Sequence, residues 1–584
     1  MTKYIRFFLF AACLFFLTIV CNARGTWVAV AKPSPNFNNG VMLLLSDGSV
    51  LVKSCFGGTD TTGTLWNKLT PDIYGSYVNG TWDTITRMHY TRLYCSSQIL
   101  KDGRVYVAGG EYGNGGAKGE TYDPLTNVWT VNGALPGNHA ILDGNSKMLP
   151  DGKVLQAYVQ SGSRGTYIYD PVTNIYTAGP TALGDHDESA WLKLPDNSIL
   201  FVDIGSRLSE RYIPSLNQWI RDDSVPVSLY DPYGYESGAS FLLPDGRAFF
   251  IGSPGTTAYY TPSGNTSPGV WTAGPPIPDS MGAPDAAAAM MVNGKILCAF
   301  SHVPDSADNF PKPTFFYEFD YLTNTFTRII TPSGQDTLKG SSYETNMLDL
   351  PDGNVLFSSL KSDKYYVYVP DGRPLPVGKP VIYNVVKQAC DTYMATGVLF
   401  NGITEGAAYG DDWQMATNYP LVRLVTHSNV YGDYVYYART YNWNRTGVMT
   451  GDLLDTATFV LPAGLPDGTY DLELVANGNP SDAYPFTTCI SSGITQGAPG
   501  DYSRLSVYPN PVSEQMNVKF DLQEQGSYLI KLVDVLGRSV EVASGTAVAG
   551  VSIVAVDLAG FPKGVYTVVL TKQDGVYATK VVVQ

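Results

Sequence analysis

At 584 residues the chain is too long for one core, and roughly two to four domains are expected. A formal net charge of −15 at pH 7 argues against nucleic acid or an anionic membrane as the main partner, and is compatible with neutral glycans or cations. Only 16% of residues are charged, while 59 glycines, 38 prolines and 40 tyrosines give the turn-rich, aromatic composition that suits an all-β protein.

Residues 1–23 read as a secretory signal, with Lys3 and Arg6 before the apolar run Phe7–Val20, and Ala23 placed for cleavage. The run is too short for a membrane-spanning helix. Cys21 would suit a lipoprotein, but Val20 before it is too large for the usual lipobox.

From there a strand-turn-strand unit recurs: LLLSDGSVLV at Leu43–Val52, ILKDGRVYV at Ile99–Val107, KMLPDGKVLQ at Lys147–Gln156 and LKLPDNSILFV at Leu192–Val202. It continues as FLLPDGRAFFIGS at Phe241–Ser253, MMVNGKILCAF at Met290–Phe300 and LDLPDGNVLFSS at Leu348–Ser359. Asp-Gly and Asn-Gly supply the positive φ of a tight hairpin. The turn returns roughly every 45 to 60 residues, in the range of kelch-type arrays. Outer-strand signatures such as YDPLTNVWT from Tyr122 and YDPVTNIYT from Tyr169 fall between the hairpins. We read a seven-bladed β-propeller over 24–373, with Trp27-Val28-Ala29-Val30 pairing into the last blade to close the ring.

Past Gly372 the repeat stops, and strands without these turns predict an immunoglobulin-like β-sandwich over 374–489. Five cysteines remain after the signal, Cys55, Cys95, Cys298, Cys390 and Cys489, so at least one thiol is free. Cys390 and Cys489 are placed to staple the second domain, and Cys298 lies in an apolar strand as an inert thiol.

After a linker at 490–503, residues 504–584 read as a further small β-sandwich. The opening Tyr508-Pro509-Asn510-Pro511, the strand LVDVLGRSV at Leu532–Val540 and the closing GVYTVVL and KVVV stretches resemble the sorting domain of the type IX (Por) secretion system. The resemblance implies export across both membranes of a Gram-negative cell, to the medium or the surface, with the type IX machinery as partner.

In a propeller, residues just upstream of each innermost strand line one mouth of the central channel. Counting back from each turn gives Asn39, Tyr94, Asp143, Asp187 with Glu188, Glu236, Asp285, and Tyr343 with Glu344. Crowded carboxylates there favour a cation, protonated acids, or hydroxyls that accept many hydrogen bonds. Tyr230, Tyr233 and Tyr235 are loop candidates for stacking on sugar rings. The sequence holds no GxSxG, HExxH, P-loop or EF-hand pattern.

At these positions the chain resembles the galactose oxidase and glyoxal oxidase family of copper-radical enzymes. YCSSQILKDGRVYVAGGEY at Tyr94–Tyr112 is similar to the blade that carries the family's radical tyrosine, which implies that role for Tyr94 and an aromatic packed over it for Tyr112. YETNMLDLPDGNVLF puts Tyr343 at the axial tyrosine, with Glu344 where a histidine ligand belongs. LVRLVTHSNVYGDY is similar to the loop bearing the family's other histidine, which implies that His427 reaches up the channel.

Departures are visible in the same comparison. Asn39 stands where the family has its cross-linking cysteine, and Cys95, adjacent to Tyr94, points to the other side of its strand. No arginine precedes Ala283-Pro284-Asp285. A Tyr94, Tyr343, Glu344 and His427 set suits iron, manganese or zinc at least as well as copper. The expected function is therefore binding of a glycan or other extracellular ligand at a mouth that includes Tyr112, Asp143, Glu188 and Glu236, with or without one transition metal. The alternative is a metal-dependent oxidoreductase that oxidises an alcohol or aldehyde with oxygen and releases hydrogen peroxide.

Overall fold

The computed structural model describes residues 24–55, 63–159, 164–410, 414–427, 432–488 and 505–584, apart from 523, 535–537 and 573–574. The signal, the linker, Cys21 and Cys489 lie outside the described residues. Among the described residues, seven antiparallel sheets form blades over 39–84, 96–131, 146–178, 192–224, 240–273, 288–329 and 345–369. Thr26–Ala29 pairs with Tyr365–Val369 and becomes the outer strand of blade 7, so the ring closes by joining its two ends.

The recurring turn explains why each blade forms. Its apex is left-handed in every blade: six glycines have φ between 78° and 88°, and Asn197 replaces glycine in blade 4 at φ 65°. Asparagine tolerates that region better than other residues with a β-carbon. One residue before the apex, the side chain of Asp47, Asp102, Asp151, Asp196, Asp245, Asn293 or Asp352 accepts the backbone N–H two residues on, at 2.9 to 3.2 Å. The Asp-Gly signal is thus a self-capping hairpin repeated around the ring.

The second domain sits on the face that carries these turns. Tyr437 packs under Gly48. Thr440 N–H donates to Ser46 O, and Asn442 N–H donates to Lys101 O. Arg439 donates to Asp102 O. Within the domain Tyr434–Tyr441 pairs first with Leu421–Thr426 and then with Asp455–Val460, so the strands fold over a core that includes Tyr393, Leu424, Phe459, Tyr470 and Phe486. Cys390 is an exposed free thiol, and Cys298 is buried.

Residues 399–410 and 414–419 lie between the sandwich and the propeller channel, which they enter against blades 2, 3 and 6. Ala407 and Ala408 pair with Ala289 and Ala288 on the inner strand of blade 6. The Gln414 side-chain oxygen accepts from Ser146 Oγ at 3.0 Å, and its backbone oxygen accepts from Ser97 Oγ at 2.9 Å. Glu405 takes Lys147 Nζ at 2.8 Å and Lys193 N–H at 3.2 Å. Lys193 Nζ donates to Met148 O and Thr446 O, and burial pushes its pKa down to about 8.

The C-terminal sandwich stacks Leu505–Tyr508, Gln515–Leu522 and Gly550–Asp557 on the sheet Ser539–Ala547, Gly526–Val533, Gly564–Lys572 and Gly575–Val583. Its core includes Met516, Phe520, Ile530, Leu570 and Val581.

Two outcomes follow from the channel. Glu405→Gln leaves the buried Lys147 ammonium without its carboxylate, and unfolding stability should drop by about 3–5 kcal/mol in urea titrations. Asp349 faces Gly406 of the threaded segment, is 4% exposed, and has neither oxygen hydrogen-bonded among the described residues. Burial raises its pKa well above the usual range, so the folded state keeps a proton that the unfolded state loses above about pH 4. Stability therefore falls as pH rises past that point. Asp349→Asn should raise the denaturation midpoint at pH 7 and converge with wild type below about pH 4; equal midpoints at pH 7 would contradict the burial account.

Candidate ligand-binding mouth of the propeller

The face opposite the capped turns is where the inner strands begin. Backbones there are strained at Asn38 (φ 64°), Tyr94 (φ 52°), Glu188 (φ 50°), Tyr235 (φ 64°) and Asp285 (φ 49°), all in the left-handed region that disfavours β-carbons. Such strain persists only where surrounding structure holds it, and it clusters at functional sites.

Three tyrosines meet at this mouth. The Tyr94 ring lies 6.1 Å from Tyr112, edge-on at 65°, and 6.3 Å from Tyr409, nearly parallel at 17°. Tyr409 lies on the threaded segment, and its hydroxyl oxygen is 2.8 Å from Asp285 Oδ2 and 2.9 Å from the Tyr343 carbonyl, two acceptors that share its single proton. The Tyr343 ring packs on Phe310 at 4.8 Å. Burial, then the hydrogen bond to Glu111, pushes the Tyr112 phenol up to about 12. Burial, then the charge of Glu344, raises Tyr343. Both hydroxyls are therefore protonated at neutral pH and can act as hydrogen-bond donors.

Beside them, Asp143, Asp187 and Glu188 each bring one oxygen within 4.8 Å of the others. Burial and then Asp185 raise the Asp187 carboxyl, and burial raises Glu111. Glu236 is 7% exposed, packed under the loop that contains Gly234.

His427 is not at the mouth. It ends strand Leu421–Thr426 on the body of the second domain, 61% exposed, with Nδ1 2.8 Å from Asp433 and Nε2 2.9 Å from Asp471. The neighbouring Tyr434 stacks on Tyr74 and Val435 N–H donates to Ile73 O, on the capped-turn face of blade 1. Ala407 and Ala408 pair with the inner strand of blade 6 and Tyr409 stands beside Tyr94, while His427 is engaged by Asp433 and Asp471 of the second domain. Glu344 is at the mouth but engaged: its Oε1 lies 2.6 Å from Lys361 Nζ, and the residue is 7% exposed. Of the four expected metal ligands, Tyr94 and Tyr343 border Tyr409 while Glu344 is paired with Lys361 and His427 lies elsewhere, and this donor set does not fit the copper-radical centre. Tyr230 also departs from expectation: it is buried at 8% exposure, its hydroxyl donating to Val202 O, while Tyr233 and Tyr235 are exposed.

Tyr409 was not among the sequence candidates. Its signal is the run Gly406-Ala407-Ala408-Tyr409-Gly410, small residues around one aromatic. A β-carbon at Gly410 would collide with Asp285 Oδ1, and one at Gly406 with Thr417 Oγ1. On the capped-turn side, a separate groove of about 660 Å³ runs between blades 3, 4 and 5, lined by Asp151, Asp196, Tyr212, Asn217 and Asn265 among others.

No curated protein sequence matches the chain. Among solved structures, a copper-bound fungal alcohol oxidase of the AA5 family aligns over 80% of this chain and 100% of its own at 15% identity and TM-score 0.46. A streptogramin B lyase aligns over 60% of this chain and 98% of its own at 13% identity and TM-score 0.42. Residues 506–584 match the family model described as a secretion system C-terminal sorting domain. No helix among the described residues is long and apolar enough to cross a membrane. The chain therefore carries a type IX sorting domain, and is exported to the cell surface or beyond.

Proposed function

We propose that this exported propeller is a binding protein, and that its ligand is a neutral glycan held at the mouth between Tyr94, Tyr112 and the Asp143, Asp187 and Glu188 carboxylates. The reading rests on one observation above the others: the half-exposed ring of Tyr112 stands edge-on to Tyr94 at 6.1 Å, at the same mouth as the clustered carboxylates of Asp143, Asp187 and Glu188. Sugars present an apolar ring face and a rim of hydroxyls; the tyrosines offer contact area and donors, and the carboxylates accept. The same acids and the net charge of −15 repel uronates and sulfated chains.

Oxidoreductase activity is the weaker reading. Tyr94 and Tyr343 keep two positions that the resemblance assigns to metal, but Lys361 holds Glu344 and the second domain's surface holds His427.

Glycan arrays with the purified protein should give neutral oligosaccharides as ligands and sulfated or uronic chains as blanks. Tyr112→Ala should weaken binding about tenfold, or ~1.4 kcal/mol, with the denaturation midpoint unchanged. Elemental analysis after incubation with copper, iron, manganese and zinc separates the two readings. One equivalent of transition metal lost in Tyr343→Phe, without glycan binding, would replace this proposal with the oxidoreductase.

A further inference from the structure

Among the described residues the sorting domain has four edge strands, and three are closed by recognisable devices. Leu505–Tyr508 has four residues and runs into Pro509 and Pro511, which cannot extend a ladder. Gly575–Val583 is covered by the chain at 510–512: Val512 N–H donates to Val582 O at 2.8 Å, Gln584 N–H returns to Val512 O at 2.8 Å, and Val582 N–H donates to Asn510 Oδ1 at 2.9 Å. Ser539–Ala547 carries Glu541 and pairs with Gly526–Val533 through a register break at Ile530/Lys531, a bulge that twists the edge.

The fourth edge has none of these. Gly550–Asp557 pairs on one side alone among the described residues, with Gln515–Leu522, in unbroken register from Gly550↔Leu522 to Asp557↔Gln515. Its sequence GVSIVAVD has no proline and no charge before Asp557. Val551 and Ile553 point to solvent at 63% and 56% exposure, and Val548 just before the strand is 70% exposed. A long, flat, uncharged edge is a template for another strand, which natural proteins ordinarily block. Here it is kept open in the one domain of the chain whose family is defined by recognition during secretion.

We propose that Gly550–Asp557 is the docking edge of the sorting domain, and that an extended segment of the type IX machinery adds to it as a further strand. Main-chain hydrogen bonds along the edge supply affinity with little dependence on sequence, and Val551 and Ile553 supply an apolar contact on one face. Such a mode suits a signal shared by unrelated cargo domains.

The test uses the full chain expressed in a cell that has the type IX system. Val551→Lys with Ile553→Lys places two charges on the open edge at solvent-facing positions. Thr546→Lys with Val565→Lys, also exposed, places the same two charges on the other sheet. The first pair should cut the exported fraction at least tenfold, with the protein retained folded in the periplasm, while the second pair exports as wild type. Wild-type export of the first pair, or equal loss in both, would overturn the proposal. Gel filtration of the purified chain covers the remaining occupant: a wild-type dimer that the edge lysines dissociate, with export unaffected, assigns the edge to a second copy and likewise overturns it.

Discussion

The contact on which the rest of this structure depends is Glu405 held between Lys147 and Lys193 inside the propeller channel. Seven inner strands turn unpaired backbone groups toward a narrow axis, where leaving them unsatisfied is costly. The described residues of segment 399–419 answer that demand with a strand pairing at Ala407-Ala408, side-chain and backbone acceptors at Gln414, and one carboxylate that takes the buried Lys147 ammonium and the Lys193 backbone N–H. The hydrophobic core runs without interruption from propeller residues such as Met347 to Tyr409, Met415 and Tyr419 of the segment and on to the sandwich. Propeller and sandwich therefore behave as one packed body, and the position of Tyr409 is a consequence of that packing.

The chemistry of the mouth follows from the same placement. Tyr409 spends its hydroxyl on Asp285 and the Tyr343 backbone, which braces two blades and leaves a ring face toward Tyr94. Lys361 removes Glu344 from any ligand set, and burial keeps the phenols of Tyr112 and Tyr343 protonated. What remains accessible is an aromatic pair beside a group of carboxylates, an arrangement that supports recognition of hydroxyl-rich, uncharged molecules better than redox chemistry.

Much of the fold was legible because its determinants are local. Asp-Gly, Asp-Asn and Asn-Gly report the left-handed apex and the capping side chain within three residues, so seven copies in phase fix the blades and their inner-strand starts. Ring closure by Trp27 was legible from strand arithmetic, and its contacts with Phe316, Phe357 and Tyr368 agree. The lining of the mouth was legible only where it lies on the repeat, as with Tyr94, Asp143, Glu188 and Tyr343. His427 was misplaced because a Thr-His-Ser triplet specifies a strand end, not which loop of the sandwich enters the channel. Tyr409 was missed because its partners lie 66 and 124 residues away. Lys361 pairs with Glu344 across 17 residues, and no local pattern announces that either.

The sorting domain places the propeller, and with it the proposed binding face, outside the cell. The central claim is most directly tested by a crystal structure of the protein soaked with a neutral oligosaccharide. The account predicts a sugar ring against Tyr112 and Tyr94, with hydroxyls on the Asp143, Asp187 and Glu188 carboxylates. Sugar bound only in the groove between blades 3, 4 and 5, with the mouth empty, would contradict it.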